Sequence, residues 1–221
     1  MNIPDNLLAE GWYWAAWLLW LPLFLRSLFK AEWARLKDSE LLNVWLGMIV
    51  VLLLLWSLKA GVKPGLTLHL LGAAVVTLCF GGHLAFVALS GVQAGVILNG
   101  DADGFSLAIN ALLLAGSAVA FSSAFTRFVQ QRLPPNFFVF IFVNAFFGAA
   151  LMVLWVGFWI SSLLALGGAY ELGYLLDEYL PYFILLGFSE AWLSGMVITL
   201  FVVYRPKWVY AFDDSRYLIG K

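Results

Sequence analysis

Residues 68–98 read LHLLGAAVVTLCFGGHLAFVALSGVQAGVIL, without one Asp, Glu, Lys or Arg. As a single helix this run would be roughly 46 Å long at the α-helical rise, well beyond the apolar thickness of a bilayer. The Gly81-Gly82 pair is the natural break, because glycine adopts backbone angles that other residues avoid. The stretch therefore reads as two short, tilted membrane helices. The rest of the chain fits that reading. It has 221 residues, 63% hydrophobic and 11% charged, whereas soluble domains are about 45–50% apolar and about 25% charged. A chain of this length cannot bury so much apolar surface from water. It also lacks the basic face that nucleic acid requires. A soluble domain, a disordered chain and a nucleic-acid binder are excluded, and the expected surrounding is a lipid bilayer.

Working outward, apolar runs of spanning length occupy Trp12 to Phe29, Leu41 to Leu58, Phe105 to Val129, the segment from Pro134-Pro135 to about Leu166, and Pro181 to Tyr204. Gly148 or Gly157 is the expected kink in the longest of these. With the split at Gly81 the count is seven, and without it six. The basic residues favour the odd number, since cytoplasmic loops collect Lys and Arg. With the N-terminus outside, the inner side holds Arg26, Lys30, Arg35, Lys37, Arg127, Arg132, Arg205, Lys207, Arg216 and Lys221, and only Lys59 and Lys63 fall outside. The outer loops carry Asp101, Asp103, Glu171, Asp177 and Glu178. The predicted fold class is an all-α integral membrane protein. It is a polytopic bundle of about seven helices, N-terminus outside and C-terminus cytoplasmic, with residues 1–221 as a single transmembrane domain. Met1-Asn2-Ile3-Pro4-Asp5 and Glu10 do not read as a signal peptide, which starts basic and ends in a small-residue cleavage site. Met1 is expected to stay on the mature chain.

Polar side chains at membrane depth are costly and mark function by default. Here they are few: His69, His83, Asn110, Asn144 and Glu190. His69 starts the third helix after the irregular stretch Lys63-Pro64-Gly65-Leu66-Thr67-Leu68. It serves either as a helix cap or as a metal ligand, for which neutral imidazole is the commonest side chain. His83 falls near the cytoplasmic turn. Glu190, Asn110 and Asn144 read first as hydrogen-bonding glue between helices. The runs Gly91-Val92-Gln93-Ala94-Gly95 and Gly148-Ala149-Ala150 suit close helix packing. Cys79, the one cysteine, reads as a small buried hydrophobe. Trp12, Trp14, Trp33 and Trp208 fit interfacial belts. No GxxxxGK[ST] loop, HExxH pair or nucleophile elbow occurs, and no paired carboxylates suggest a proton relay. The chain is not expected to be an enzyme.

Four fragments together resemble one family. Met1-Asn2-Ile3-Pro4-Asp5 is similar to an opening that reads Met-His-Ile-Pro-Asp/Glu. His69-Leu70-Leu71-Gly72-Ala73 resembles His-Leu-Leu-Gly-Gly. Gly100-Asp101 through Ala108-Ile109-Asn110-Ala111 resembles Gly-Asp-Gly-Gly…Gly-Ala-Asn. Gly187-Phe188-Ser189-Glu190-Ala191 with Arg205-Pro206 resembles a final helix and its Arg-Pro exit. The order and spread match the substrate-capture subunit of energy-coupling-factor transporters for cobalt and nickel (the CbiM/NikM type), in a divergent proteobacterial branch labelled a predicted energy-coupling-factor permease.

The resemblance implies a metal held near the outer face by nitrogens: the N-terminal amine, the backbone amide and imidazole of residue 2, and a downstream histidine. Such a set suits Ni(II) or Cu(II). The Met1 amine, the Asn2 amide and His69 carry over, whereas Asn2 replaces the residue-2 imidazole. Its oxygen, water or another group would fill the fourth position, with Asn110 and Glu190 as supporting polar residues. The resemblance also implies a membrane coupling subunit and cytoplasmic ATPase subunits as partners, no cofactor in this chain, a transported divalent ion of the cobalt or nickel class, and a multi-pass place in the bacterial inner membrane. Two other readings stand beside this one: the same fold carrying a different small solute, and a non-transporting membrane scaffold or assembly factor.

Overall fold

The computed structural model describes residues 1–213 and Tyr217. Arg216 and Lys221, assigned to the inner side above, lie outside the described residues. Helix α1, Glu10–Lys30, leads through the 3-10 turn Trp33–Lys37 into α2, Ser39–Ser57. The Asp38 side chain caps α2 by accepting from Glu40 N at 2.9 Å, which satisfies an amide left open at a helix start. An antiparallel hairpin follows, β1 Ala60–Lys63 and β2 Leu66–Leu68. Pro64 fixes its turn, and Gly65 takes the left-handed φ of 76° that the turn requires. Then come α3, Ala73–Leu98, and α4, Leu107–Arg132, which contains a wide π turn at Ala111–Gly116. Helix α5, Phe137–Leu166, contains another at Phe140–Phe147. Short α6, Leu172–Glu178, and α7, Leu180–Tyr204, complete the bundle before the 3-10 turn Pro206–Trp208.

Helices α2, α4, α5 and α7 are long and apolar enough to cross a membrane, and the apolar segment Ala73–Leu98 reaches that length only when counted across its break at Gly81. Their outer surfaces are apolar too: Val50, Val51, Leu54, Phe158, Ile184, Leu185 and Met196 are exposed. Helix α1 shows the same character at Leu18, Leu19 and Phe29. A water-facing protein would not leave such contiguous apolar faces uncovered.

The break in α3 falls at Gly81, with φ 76° and ψ 168°. The chain turns back there. Leu52 of α2 fills the space where a Cβ on Gly72 would go, and the adjacent Leu53 does the same at Gly95. The two ends of α3 thus lie against one turn of α2, while Trp45 nearer the start of α2 donates to Leu84 O at 3.4 Å. The break frees helix carbonyls, which need donors. Ala211 N bonds Leu78 O at 3.0 Å and Tyr210 N bonds Cys79 O at 3.2 Å. Arg35 Nη2 also donates to Cys79 O, at 3.3 Å. Cys79 itself is fully buried.

Two expectations need adjustment. Helix α3 begins at Ala73, so His69 lies in a non-helical linker rather than in the first helical turn. In α5 the irregularity is the π turn Phe140–Phe147, just ahead of Gly148. Gly157 is instead a contact point, because a Cβ there would lie 2.5 Å from the Phe183 ring of α7.

Candidate functional site

The first residues of the chain fold into the bundle. Met1 and Ile3 are fully buried and Asn2 is 8% exposed. The Met1 amine donates to the carbonyl and to the hydroxyl of Thr67 on β2. Asn2 N donates to Thr67 Oγ1 at 3.2 Å. Tyr179 reaches the same carbonyl through its hydroxyl at 3.3 Å. Ile3 is held at both of its backbone groups by Asn110 of α4. Its N–H donates to Asn110 Oδ1 at 2.8 Å, and its carbonyl accepts from Asn110 Nδ2 at 3.0 Å. A buried backbone must find such partners or lose the desolvation cost of each group, so Asn110 supplies for one extended residue what a neighbouring strand would supply. Tyr13 of α1 then fixes Pro4 O through its hydroxyl.

The other half of the site is the linker between β2 and α3. His69 is 3% exposed, and its ring packs beside Trp56 with centroids 5.0 Å apart. Its Nδ1 lies 3.1 Å from Leu70 O. A carbonyl can only accept, so Nδ1 carries the hydrogen and Nε2 of the neutral ring keeps a bare lone pair. Nε2 is buried and has no hydrogen-bond partner among the described residues. The backbone just beyond is pinned on both sides. Leu71 N and Gly72 N donate to the Glu190 carboxylate of α7, the latter at 3.0 and 3.2 Å. Leu71 O accepts from Trp56 Nε1 at 3.1 Å. Gly72 takes φ 61° where Leu52 leaves no room for a side chain.

Burial holds the Met1 amine well below its ordinary pKa, with Lys59 adding to the effect. His69 is pushed down to about 3, first by burial and then by the nearby N-terminal charge. The imidazole is therefore neutral at pH 7, and burial favours the neutral form of the amine, the form in which each offers a lone pair. Both polar atoms of the Asn2 amide are also buried without a partner. An unsatisfied buried polar group costs about 1–3 kcal/mol, and such groups persist where function holds them. Amine, amide and imidazole donors gathered in a dry, largely uncharged setting can chelate a late divalent transition ion. Consecutive atoms of one chain end close small rings, so little order is lost on binding. Among the described residues no three His, Cys, Asp or Glu side chains converge as a metal group. Terminal and backbone nitrogens would have to do part of the work.

His83 is not brought to this site. Its Nδ1 lies 3.3 Å from Ser27 Oγ, beside the Gly81 turn at the opposite end of the bundle. Asn144 is buried, and both its side-chain polar atoms lack partners among the described residues. Glu190 and Asn110 do act as glue, but they tie helices to the N-terminal segment and to the linker rather than to other helices. Thr67 was not singled out from sequence. A signal for it existed, since it precedes His69 on the strand leaving the Pro64-Gly65 turn.

Comparison with known proteins adds three findings. A family model for the cobalt uptake substrate-specific transmembrane region (CbiM) matches residues 2–208. A crystal structure of a truncated transition metal transporter has the same fold, with a TM-score of 0.78 over 92% of this chain and 99% of that one, at 16% sequence identity. Among curated proteins, none matches the chain in sequence.

Proposed function

The chain belongs to the cobalt uptake substrate-specific transmembrane family; from that premise, of a multi-pass membrane component of metal uptake, we propose that it captures a divalent ion of the cobalt or nickel class through the Met1 amine, Asn2 and His69 Nε2. The observation that carries this reading is the pairing of a fully buried N-terminus with an imidazole nitrogen that has no hydrogen-bond partner among the described residues. In the proposed mechanism the Met1 amine and His69 bind through their neutral forms and the Asn2 amide gives up its proton, while Asn110 and Glu190 hold the two halves of the chelate in register. The side-chain oxygen of Asn2 is the nearest candidate for a fourth ligand, which makes the site less soft than one with a second imidazole.

The site is assigned to the extracytoplasmic side, supported by the basic residues. Arg35 and Lys207 meet at the far end, where Arg35 Nη2 donates to Lys207 O at 2.9 Å. Release to the inside is a conformational step. We assign its energy to a membrane coupling subunit and cytoplasmic ATPases of an energy-coupling-factor type ABC transporter in the bacterial inner membrane. This agrees with the absence of a nucleotide loop in the sequence. A second reading, another small solute hydrogen-bonded by Asn2, draws on its two unpartnered amide atoms.

The test is to place a Gly-Ser pair ahead of Met1 and titrate purified protein with Co(II) and Ni(II). The extension turns the amine into an amide and should abolish saturable binding. Binding equal to that of the native terminus would end the proposal.

A further inference from the structure

Above the buried donors lies a small chamber. A cavity of about 260 Å³ is lined by Asn2, Thr67, Lys59, Asp101 and Asp103 among others. Asn2 lines it and is more than nine-tenths buried, and its side-chain amide has no hydrogen-bond partner among the described residues. The acidic wall is built rather than incidental. Asp103 Oδ2 accepts from Asp5 N at 3.1 Å, and Asp5 Oδ2 accepts from Phe105 N at 3.3 Å. The loop is thereby tied to the N-terminal segment that carries the donors. Asn99 Nδ2 donates to Asp101 Oδ2 at 2.6 Å, which orients that carboxylate.

Against this wall stands one cation. Lys59 follows α2, Asp101 follows α3, and the two meet across the chamber. Lys59 Nζ donates to Asp101 O at 2.5 Å and lies 3.6 Å from Asp101 Oδ1. The pair is only partly exposed, with side chains 30% and 27% accessible. A lysine is an odd neighbour for a cation site, because its charge opposes every arriving ion. It does not oppose them equally in effect. A monovalent ion would gain from Asp101 about what the tethered ammonium already provides, and it would pay an ordering cost that the tether has met. A divalent ion gains twice the attraction and can displace the ammonium.

We propose that Lys59 is an exchangeable counter-ion that gates this chamber: a hydrated divalent cation enters by taking the place of the Lys59 ammonium on Asp101, then passes to Asn2 and the donors behind it. The inference rests on the metal reading above and adds a step before the chelate. Lys59 thus sets the rate of capture and the preference for double charge, while the chelate sets affinity.

The test uses the full-length protein in detergent and follows Co(II) association by stopped flow, with and without added Na⁺. Lys59→Met should raise the association rate about tenfold, within the range of electrostatic effects on capture, and make that rate more sensitive to Na⁺. Lys59→Arg keeps the charge and should stay within about twofold of the native rate. Asp101→Asn should slow association at least about threefold while binding still saturates. Native-like rates in both Lys59→Met and Asp101→Asn would overturn the gate and leave the chelate standing. A native protein that takes up neither Co(II) nor Ni(II) would overturn the metal reading, and the gate with it.

Discussion

The two histidines of the chain sit at opposite ends of the bundle, and their surroundings differ in kind. His69 is almost wholly buried beside Trp56, with Nδ1 committed to a carbonyl and Nε2 open. His83 is exposed on the rim of a groove of about 960 Å³ next to the Gly81 turn, with Ser27 as its partner. Both belong to the same apolar run, so local sequence does not separate them. What separates them is the chain packed around each. At the His69 end an N-terminus, a hairpin and two helix side chains converge. At the His83 end the tail residues Tyr210 and Ala211 satisfy carbonyls freed by the break. A donor becomes a site when its neighbours use up every other way of satisfying it.

The sharpest attempt to break this contrast is a matched pair of substitutions. His69→Ala should weaken Co(II) or Ni(II) binding by more than about 100-fold, since loss of an outer-shell partner alone costs about 10–100-fold. His83→Ala should leave binding within about twofold. Equal losses in equilibrium dialysis would erase the distinction between the two ends. A smaller effect is expected at Asn110. Asn110→Ala strips partners from both backbone groups of Ile3, at about 1–3 kcal/mol for each buried group. Thermal unfolding should show the loss, and the metal affinity should fall with it; an unchanged transition would mean that Ile3 is held by something else.

The smallest effect is in protons. Burial lowers the pKa of both the amine and His69 and so favours their neutral forms, which have no proton to give up when a metal binds. Binding should release about one proton, from the Asn2 amide. Calorimetry in buffers of different ionisation enthalpy counts it, and a release near three would show that the donors were charged and solvated after all.

The comparison also shows what the sequence made legible. The apolar runs and the glycine pair were enough for a membrane bundle that breaks at Gly81, because bilayer thickness bounds helix length. Met1, Asn2 and His69 were reached through fragments of family pattern. The hairpin was not foreseen: its strands, four residues before Pro64-Gly65 and three after, are too short to show an alternating pattern, and the stretch read only as irregular. The π turns at Ala111–Gly116 and Phe140–Phe147 leave no mark in composition, since they differ from α-helix only in which carbonyl each amide meets. The partners of Asn110 and Glu190 were equally hidden. Their polarity signalled a role, but only the folded chain brings Ile3 to one and Leu71 and Gly72 to the other.

The account reduces to where a bound ion sits. Crystals of the full chain grown with Co(II) or Ni(II), measured at the metal absorption edge, would locate it. The predicted result is one anomalous peak within coordination distance of both the Met1 nitrogen and His69 Nε2, with Asn2 beside it. A peak on the His83 groove, or one at the acidic chamber that never reaches His69, would contradict the account.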